Sequence, residues 1–248
     1  MTAAAANDAD ADEPARKQTA LRILSGGAAN GLVTRLEPRF IREGGPGVEG
    51  DFGAVGMMRD RIVAGEAVDL IILTRALIDA LSQSGHVVAG TARDLGAVVT
   101  GVAVRSGEAE PDISSGAALA QALAQAPTLY VPHTIESTAG RHVASVIDAL
   151  GLSALYGPRL RQFANGQTAM AAMAEDGEEG AIGCTQITEI LNTDGVTYVG
   201  DLPDQYGLKT VYTAAVSTRA VQPDAARTLI EILVDPAEQE TRRAAGFA

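Results

Sequence analysis

The run PHTIESTAGRH, residues 132–142, gathers groups fit for acid–base or anion chemistry into one short stretch. An apolar strand, TLYV at 128–131, leads into it. Beyond Thr138, Val143, Val146, Ile147 and Leu150 recur at spacings of three and four, the period of a helix facing a core. Ser137 and Thr138 therefore fall at an N-cap, and the small residues Ala139 and Gly140 follow. A helix start with free N–H groups, hydroxyls and no bulk suits an anion, although an ordinary capped helix is the plainer reading. Thr134 adds a hydroxyl, and His133 and Glu136 are candidate proton carriers. Arg141 sits in the first helical turn, where a guanidinium opposes the helix dipole. It faces either solvent or a cleft, where it would hold a carboxylate bidentately.

Few other residues offer chemistry. Cys184 is the sole cysteine, so no intrachain disulfide forms. It reads as a small buried hydrophobe, with a reactive thiol, and so a catalytic candidate, as the alternative. Three histidines and one cysteine are too few for a structural zinc site, and no metal or cofactor is expected. No G-x-x-x-x-G-K-[ST], H-E-x-x-H or G-x-S-x-G occurs, which leaves nucleotide hydrolysis and the common hydrolase elbow unsupported.

The elements that must position these groups alternate between strand and helix. LRILS (21–25), a segment within 47–53, VDLIILT (68–74), VVTGVAVR (98–105), TLYVP and GAIGCTQ (180–186) read as strands, as do VTYVGDLP and KTVYTAAVS. Helices are expected at 31–44, 56–66, 76–85, 118–126, 140–150, 167–175 and 223–235. This alternation predicts an α/β fold with mostly parallel sheets and flanking helices. At 248 residues and 46% hydrophobic, the chain is long enough for two cores. A net charge of −12 argues against nucleic-acid binding, because no basic surplus exists to displace counterions. No run approaches the ~20 apolar residues of a membrane span, so no membrane insertion is expected. Residues 1–19 read as a disordered acidic tail without a signal peptide. That predicts a cytoplasmic protein if Met1 is the natural start, and a periplasmic one if the sequence has been trimmed.

The order of the pieces resembles a family. LRILSGGAANGLVTRLEPRFIREGG is similar to the opening of type II periplasmic solute-binding proteins of the molybdate-binding kind. GMMRDRIVAGEAVDLIIL resembles the family block in which a small-residue loop starts a helix, with Gly65 and Asp69 at the matching positions. PDAARTLIEILVDPAEQETRRAAGF is similar to the family's terminal helices and closes on Gly246-Phe247. The resemblance covers residues 20–247 and implies a two-lobed Venus-flytrap architecture. Residues 20–98 plus 212–248 would form the first lobe and 99–211 the second, with VVTGVAVR and VYTAAVS crossing between them. A single doubly wound sheet is the alternative.

If that mapping holds, four loops beyond strand ends face the cleft, where α/β folds take ligands. They are Ser25-Gly26-Gly27-Ala28, then Gly53-Ala54-Val55-Gly56, then Thr134 to Gly140, and finally Cys184-Thr185-Gln186. Molybdate-binding relatives carry hydroxyls at the second loop and often a tyrosine at the fourth; this chain has Val55-Gly56 and Cys184 instead. These departures argue against a tetrahedral oxyanion. Two functions follow. One is binding of a small anionic molecule, an organic carboxylate, with an ABC permease as partner only if the chain is exported. The other is a cytosolic isomerase or tautomerase that moves a proton on a small organic acid, using His133, Glu136 or Cys184.

Overall fold

The structure is a computed structural model that describes residues 19–248. All but the last residue of the acidic tail read over 1–19 thus lies outside it. The chain begins with strand β1 (Leu21–Gly26), a 3₁₀ turn over Gly27–Ala29 and helix α1 (Asn30–Arg42). There follow β2 (Val48–Gly53), α2 (Val55–Val63), β3 (Leu70–Thr74) and α3 (Arg75–Gln83). A long strand, β4 (Arg93–Arg105), then leaves this first group. The middle segment comprises α4 (Gly116–Gln125), β5 (Leu129–Pro132), α5 (Thr138–Ala149), α6 (Ser153–Arg159) and β6 (Leu160–Phe163). It continues through α7 (Gly166–Asp176), β7 (Ile182–Gln186), α8 (Ile187–Ile190) and β8 (Val196–Asp201). Strand β9 (Lys209–Val216) returns, and α9 (Pro223–Val234) and α10 (Gln239–Ala244) end the chain.

Two lobes result, each with its own apolar core. The buried members of one core come from residues 21–98 and 212–247; those of the other two clusters lie between 102 and 202. The strand order β2-β1-β3-β9-β4-β7-β5-β6 is nevertheless unbroken, because β4 serves both lobes. Its residues 93–99 pair with β9, and its residues 100–105 pair with β7 and β8. Pairings inside each wing are parallel (β1 with β2 and β3; β5 with β6 and β7), whereas those involving the crossing strands are antiparallel. The sheets are therefore mixed, with the parallel part where the sequence showed strand–helix alternation.

Leu70, Ile71, Ile72 and Leu73 are fully buried, as a strand covered on both faces requires. The preceding Asp69 is also buried. One of its oxygens accepts the Arg22 N–H (2.9 Å), and the other accepts the N–H groups of Val221 and Gln222 (2.7 and 2.8 Å). This carboxylate ties β1 to the entry of α9 and thereby holds the C-terminal helices on the first lobe. The last residues lock the same lobe. Phe247 packs edge-on against Tyr212, and Ala97 and Ala248 exchange backbone hydrogen bonds of 2.8 and 2.9 Å. Gly96 makes room for this: its φ is +144°, and a Cβ there would lie 2.9 Å from the Ala248 carbonyl. The sequence pattern did not reveal α6, which contains Gly157 and Pro158, or the four-residue α8. It also began β4 five residues late, because Arg93 and Asp94 are exposed and polar.

Candidate functional site

Three helix starts open on one cavity of about 830 Å³ between the lobes. From the first lobe come Val55, Gly56 and Met57 at the start of α2, and Thr74, Arg75, Ala76 and Leu77 at the start of α3. From the second come Ile135, Glu136, Thr138 and Arg141, and β9 adds Lys209, Thr210 and Val211. The walls meet at one edge, where a Cβ on Gly56 would lie 3.3 Å from the carbonyl oxygen of Glu136.

The two helix starts that the first lobe turns to the cavity have no side-chain cap, as is also true of α1 and α9. A helix leaves its first N–H groups without intrahelical partners, and a side chain at the N-cap normally takes one. The N-cap of α2 is Ala54, which has nothing to offer. The N-cap of α3 is Thr74, whose hydroxyl makes no capping bond. Both starts thus present uncapped donors to the cavity, with the positive ends of their dipoles. In α5 the opposite holds: Ser137 Oγ accepts the Gly140 N–H at 3.3 Å.

Around these donors the cavity mixes charge with apolar surface. Arg59 pairs with Asp60 (2.6 Å), and Arg75 pairs with Asp94. Arg141 donates to the Ile135 carbonyl at 2.6 Å, and Lys209 brings an exposed ammonium to the start of β9. Asp79 and Glu136, both exposed, add carboxylates to the lining. Val55, Leu77 and Val211 make the apolar part, with Met57 and Ile135 exposed at the mouth, Ile135 to 73%. Such a surface suits a ligand with a carbon skeleton and negative ends.

Of the residues expected to bind or react, the structure brings Val55, Gly56, Glu136, Thr138 and Arg141 to this cavity. The others lie elsewhere for definite reasons. His133 Nδ1 accepts the N–H groups of Ile135 and Glu136 (both 3.3 Å), so the imidazole braces its own loop. The Thr134 N–H and hydroxyl both donate to Gln162 Oε1 (3.0 and 2.8 Å). Ala139 and Gly140 are buried, and a Cβ on Gly140 would collide with the carbonyls of Pro132 and His133. That glycine serves the close packing of α5 on the end of β5, not access for a ligand. Cys184 lies in the core of the second lobe, where burial pushes its thiol up to about 12, out of reach of nucleophilic chemistry near neutral pH.

Ser25, Gly26, Gly27, Thr185 and Gln186 converge instead on a second, solvent-excluded cluster. Its centre is Glu189, which sequence reading missed. One carboxyl oxygen accepts the Thr185 hydroxyl (2.6 Å) and the other accepts the Gly166 N–H (3.1 Å). Tyr212 donates its hydroxyl to Gln186 Oε1 (2.8 Å), and a Cβ on Gly26 would lie 2.9 Å from the tyrosine ring. Ser25 donates to the Gly26 carbonyl at 2.8 Å and is fully buried. Burial raises the carboxyl of Glu189 above the usual range even against these two donors, and burial raises the phenol of Tyr212 as well. The one sequence signal was a buried Thr-x-x-x-Glu pair at helical spacing. The cavity residues Met57, Arg59, Thr74, Arg75 and Lys209 were also missed, because they flank turns whose partners are distant in sequence.

Comparison with known proteins fits this geometry. A family described as "Bacterial extracellular solute-binding protein" matches residues 21–248. An aconitate isomerase from Pseudomonas sp is 28% identical over 227 residues, which cover 88% of this chain and 84% of that protein. Among solved structures, the periplasmic molybdate-binding protein of Azotobacter vinelandii superposes with a TM-score of 0.74 at 16% identity, over 92% of this chain and 98% of its own. The sulfate-binding protein of Mycobacterium tuberculosis H37Rv gives 0.69 at 17% identity, over 92% and 86%. At these identities the structural likeness speaks for the fold alone.

Proposed function

The chain belongs to the bacterial extracellular solute-binding protein family, a type II solute-binding fold of the molybdate-binding kind, and on that premise we propose that it binds a small organic anion with two or more carboxylates between its lobes. One observation carries the reading: the uncapped starts of α2 and α3 face, across an apolar-lined cavity, the Arg141 and Lys209 side chains. Each end of a polycarboxylate would meet donors, while Val55, Leu77, Val211 and Ile135 would cover its carbons. A tetrahedral oxyanion would leave that apolar surface wet. The closing bodies in this proposal are residues 20–98 with 212–248, and residues 99–211.

A thermal-shift panel tests it, with citrate, cis- and trans-aconitate, succinate, acetate, molybdate and sulfate. A ligand at 100 times its dissociation constant stabilises by about 2.7 kcal/mol, or roughly 5–11 °C for a chain of this size. Di- and tricarboxylates should shift the transition and the inorganic oxyanions should not. A shift with molybdate or sulfate alone would overturn the proposal.

The aconitate isomerase likeness favours a second reading on the same cleft. Glu136 would take a proton from the carbon next to a carboxylate and return it to the other end of the allylic system, moving or turning a double bond with no redox change. Proton NMR in heavy water separates the two readings: catalysed exchange or a new isomer supports the enzyme, and unchanged spectra support binding alone. For compartment, the word extracellular in the family description supports export, the location expected if the sequence has been trimmed, and an ABC permease would then be the partner. Among the described residues no helix is long and apolar enough to cross a membrane. Fractionation of cells producing the protein tests its location.

A further inference from the structure

The cluster around Glu189 lies outside the proposed ligand cavity, and it spans the lobes. Its donors, Thr185 and Gly166, both belong to the second lobe. Its cover belongs to the first: a Cβ on Gly27 would lie 2.6 Å from Glu189 Oε1 and 3.5 Å from Asn165 Cβ. Beside it, Asn30 donates to Gln167 Oε1 across the same seam at 2.8 Å, and Gly31 lies against Asn192. The turn at 27–31 is therefore a lid on the carboxyl, and moving the lobes apart would let water reach it.

We propose that Glu189 is a proton-operated latch on lobe closure, holding the lobes together when its carboxyl is protonated and favouring their separation when it ionises. The groups facing it explain why. The turn contributes Gly27 and α1 contributes Asn30; α7 contributes Asn165, Gly166 and Gln167; β7 contributes Thr185 and Gln186; β9 contributes Tyr212. None of these carries a charge, and Tyr212 is the only one that titrates, with its own phenol raised by burial and by Glu189. Among the described residues no cation pairs with the carboxylate in the closed form, and burial penalises its charge. Opening hydrates it and returns it to the ordinary range.

The sign follows by linkage. A carboxyl raised in the closed form leaves closure undiminished below its open-form value. From there the closed-to-open ratio falls up to tenfold per pH unit until the raised value is passed, because one proton is released on opening. Ligand capture would then be favoured in mildly acidic surroundings and release at higher pH. The latch acts on closure itself, so it stands whether or not the ligand is a carboxylate.

The test uses the ligand-free protein. Amide hydrogen exchange at Gly27, Gly166 and Gln167, corrected for intrinsic rates, is followed with the small-angle scattering radius from pH 5 to 9. In the wild type, protection should fall and the radius should grow as pH rises. Glu189→Gln, which keeps shape and acceptor but cannot ionise, should remove both trends. Gly27→Ala, whose methyl presses on Glu189 Oε1, should hold the lobes apart at every pH and flatten the profile too; it serves as a second arm if Glu189→Gln fails to fold. A wild type without pH dependence, or either variant keeping the wild-type slope, would overturn the latch.

Discussion

Thr74→Asp asks directly whether the start of α3 is a ligand site. Thr74 is half-buried at the N-cap with extended backbone (φ −62°, ψ 148°), the conformation a capping residue needs, yet it caps nothing. Aspartate is close to threonine in size and accepts from the N–H groups of the first turn, so it should fit without repacking. Supplying the missing cap should stabilise the protein by about 1 kcal/mol, or roughly 2–4 °C in Tm for this length. The same change takes away donors the ligand would use. A charge-assisted hydrogen bond is worth about 1.5–3 kcal/mol, and the new carboxylate also repels a ligand carboxylate. Affinity for whichever polycarboxylate the thermal-shift panel identifies should therefore fall at least about tenfold. Thr74→Asn caps equally well without charge and should give the same rise in Tm with a smaller loss of affinity. Calorimetric titration with differential scanning on the three proteins reads both effects. Stability up and affinity down is a pairing that an ordinary surface mutation does not produce. A rise in Tm with unchanged affinity would remove α3 from the site, and the reading of uncapped helix starts with it.

Arg141→Met and Lys209→Met should each weaken the same ligand by roughly tenfold or more, with the wild-type affinity falling as salt is raised; unchanged titrations would show that these cations only face solvent. Gly140→Ala should destabilise the chain by about 1–3 kcal/mol in urea titration, despite alanine's better helix propensity, because its methyl meets the carbonyls of Pro132 and His133; a variant as stable as the wild type would refute that contact. Cys184 should resist a soluble aromatic disulfide reagent in the native protein and react at once in denaturant, since its thiol is buried and raised to about 12; fast native labelling would place it at an accessible surface.

The architecture was legible because it rests on local and repetitive signals. Four fully buried residues in a row, Leu70 to Leu73, announce a covered strand, and the helix period from Val143 to Leu150 announces α5. Asp69 and Gly246-Phe247 were visible as motif positions, and the structure supplies their reasons: one ties β1 to α9, the other seals the bulge at Gly96. The site was legible only in part. Of the cavity lining, Val55, Gly56, Glu136, Thr138 and Arg141 were expected from the sequence because they sit where strands end and helices begin. Thr74 and Arg75 sit at such a junction too, but a plain Leu-Thr-Arg boundary carries no sign that its hydroxyl will leave the helix uncapped. Lys209 starts a strand, and only the fold carries that strand back to the cleft.

Glu189 illustrates why buried chemistry stays hidden. In sequence it is one acidic residue in QITEIL, and the usual inference from a charge beside a helix is a solvated face. What makes it different is that its donors come from Gly166 and Thr185, while the cover over it comes from Gly27, more than 150 residues away in the chain. The glycine at 27 reads as loop flexibility, yet the structure gives it a steric reason: any side chain there would strike the carboxyl. The hydroxyl-free Gly-Ala-Val-Gly loop has a similar double meaning. Beside oxyanion binders it is a missing donor; in the structure it is a helix start without a side-chain cap that opens on the cavity. A loss at the level of side chains is thus a gain at the level of backbone.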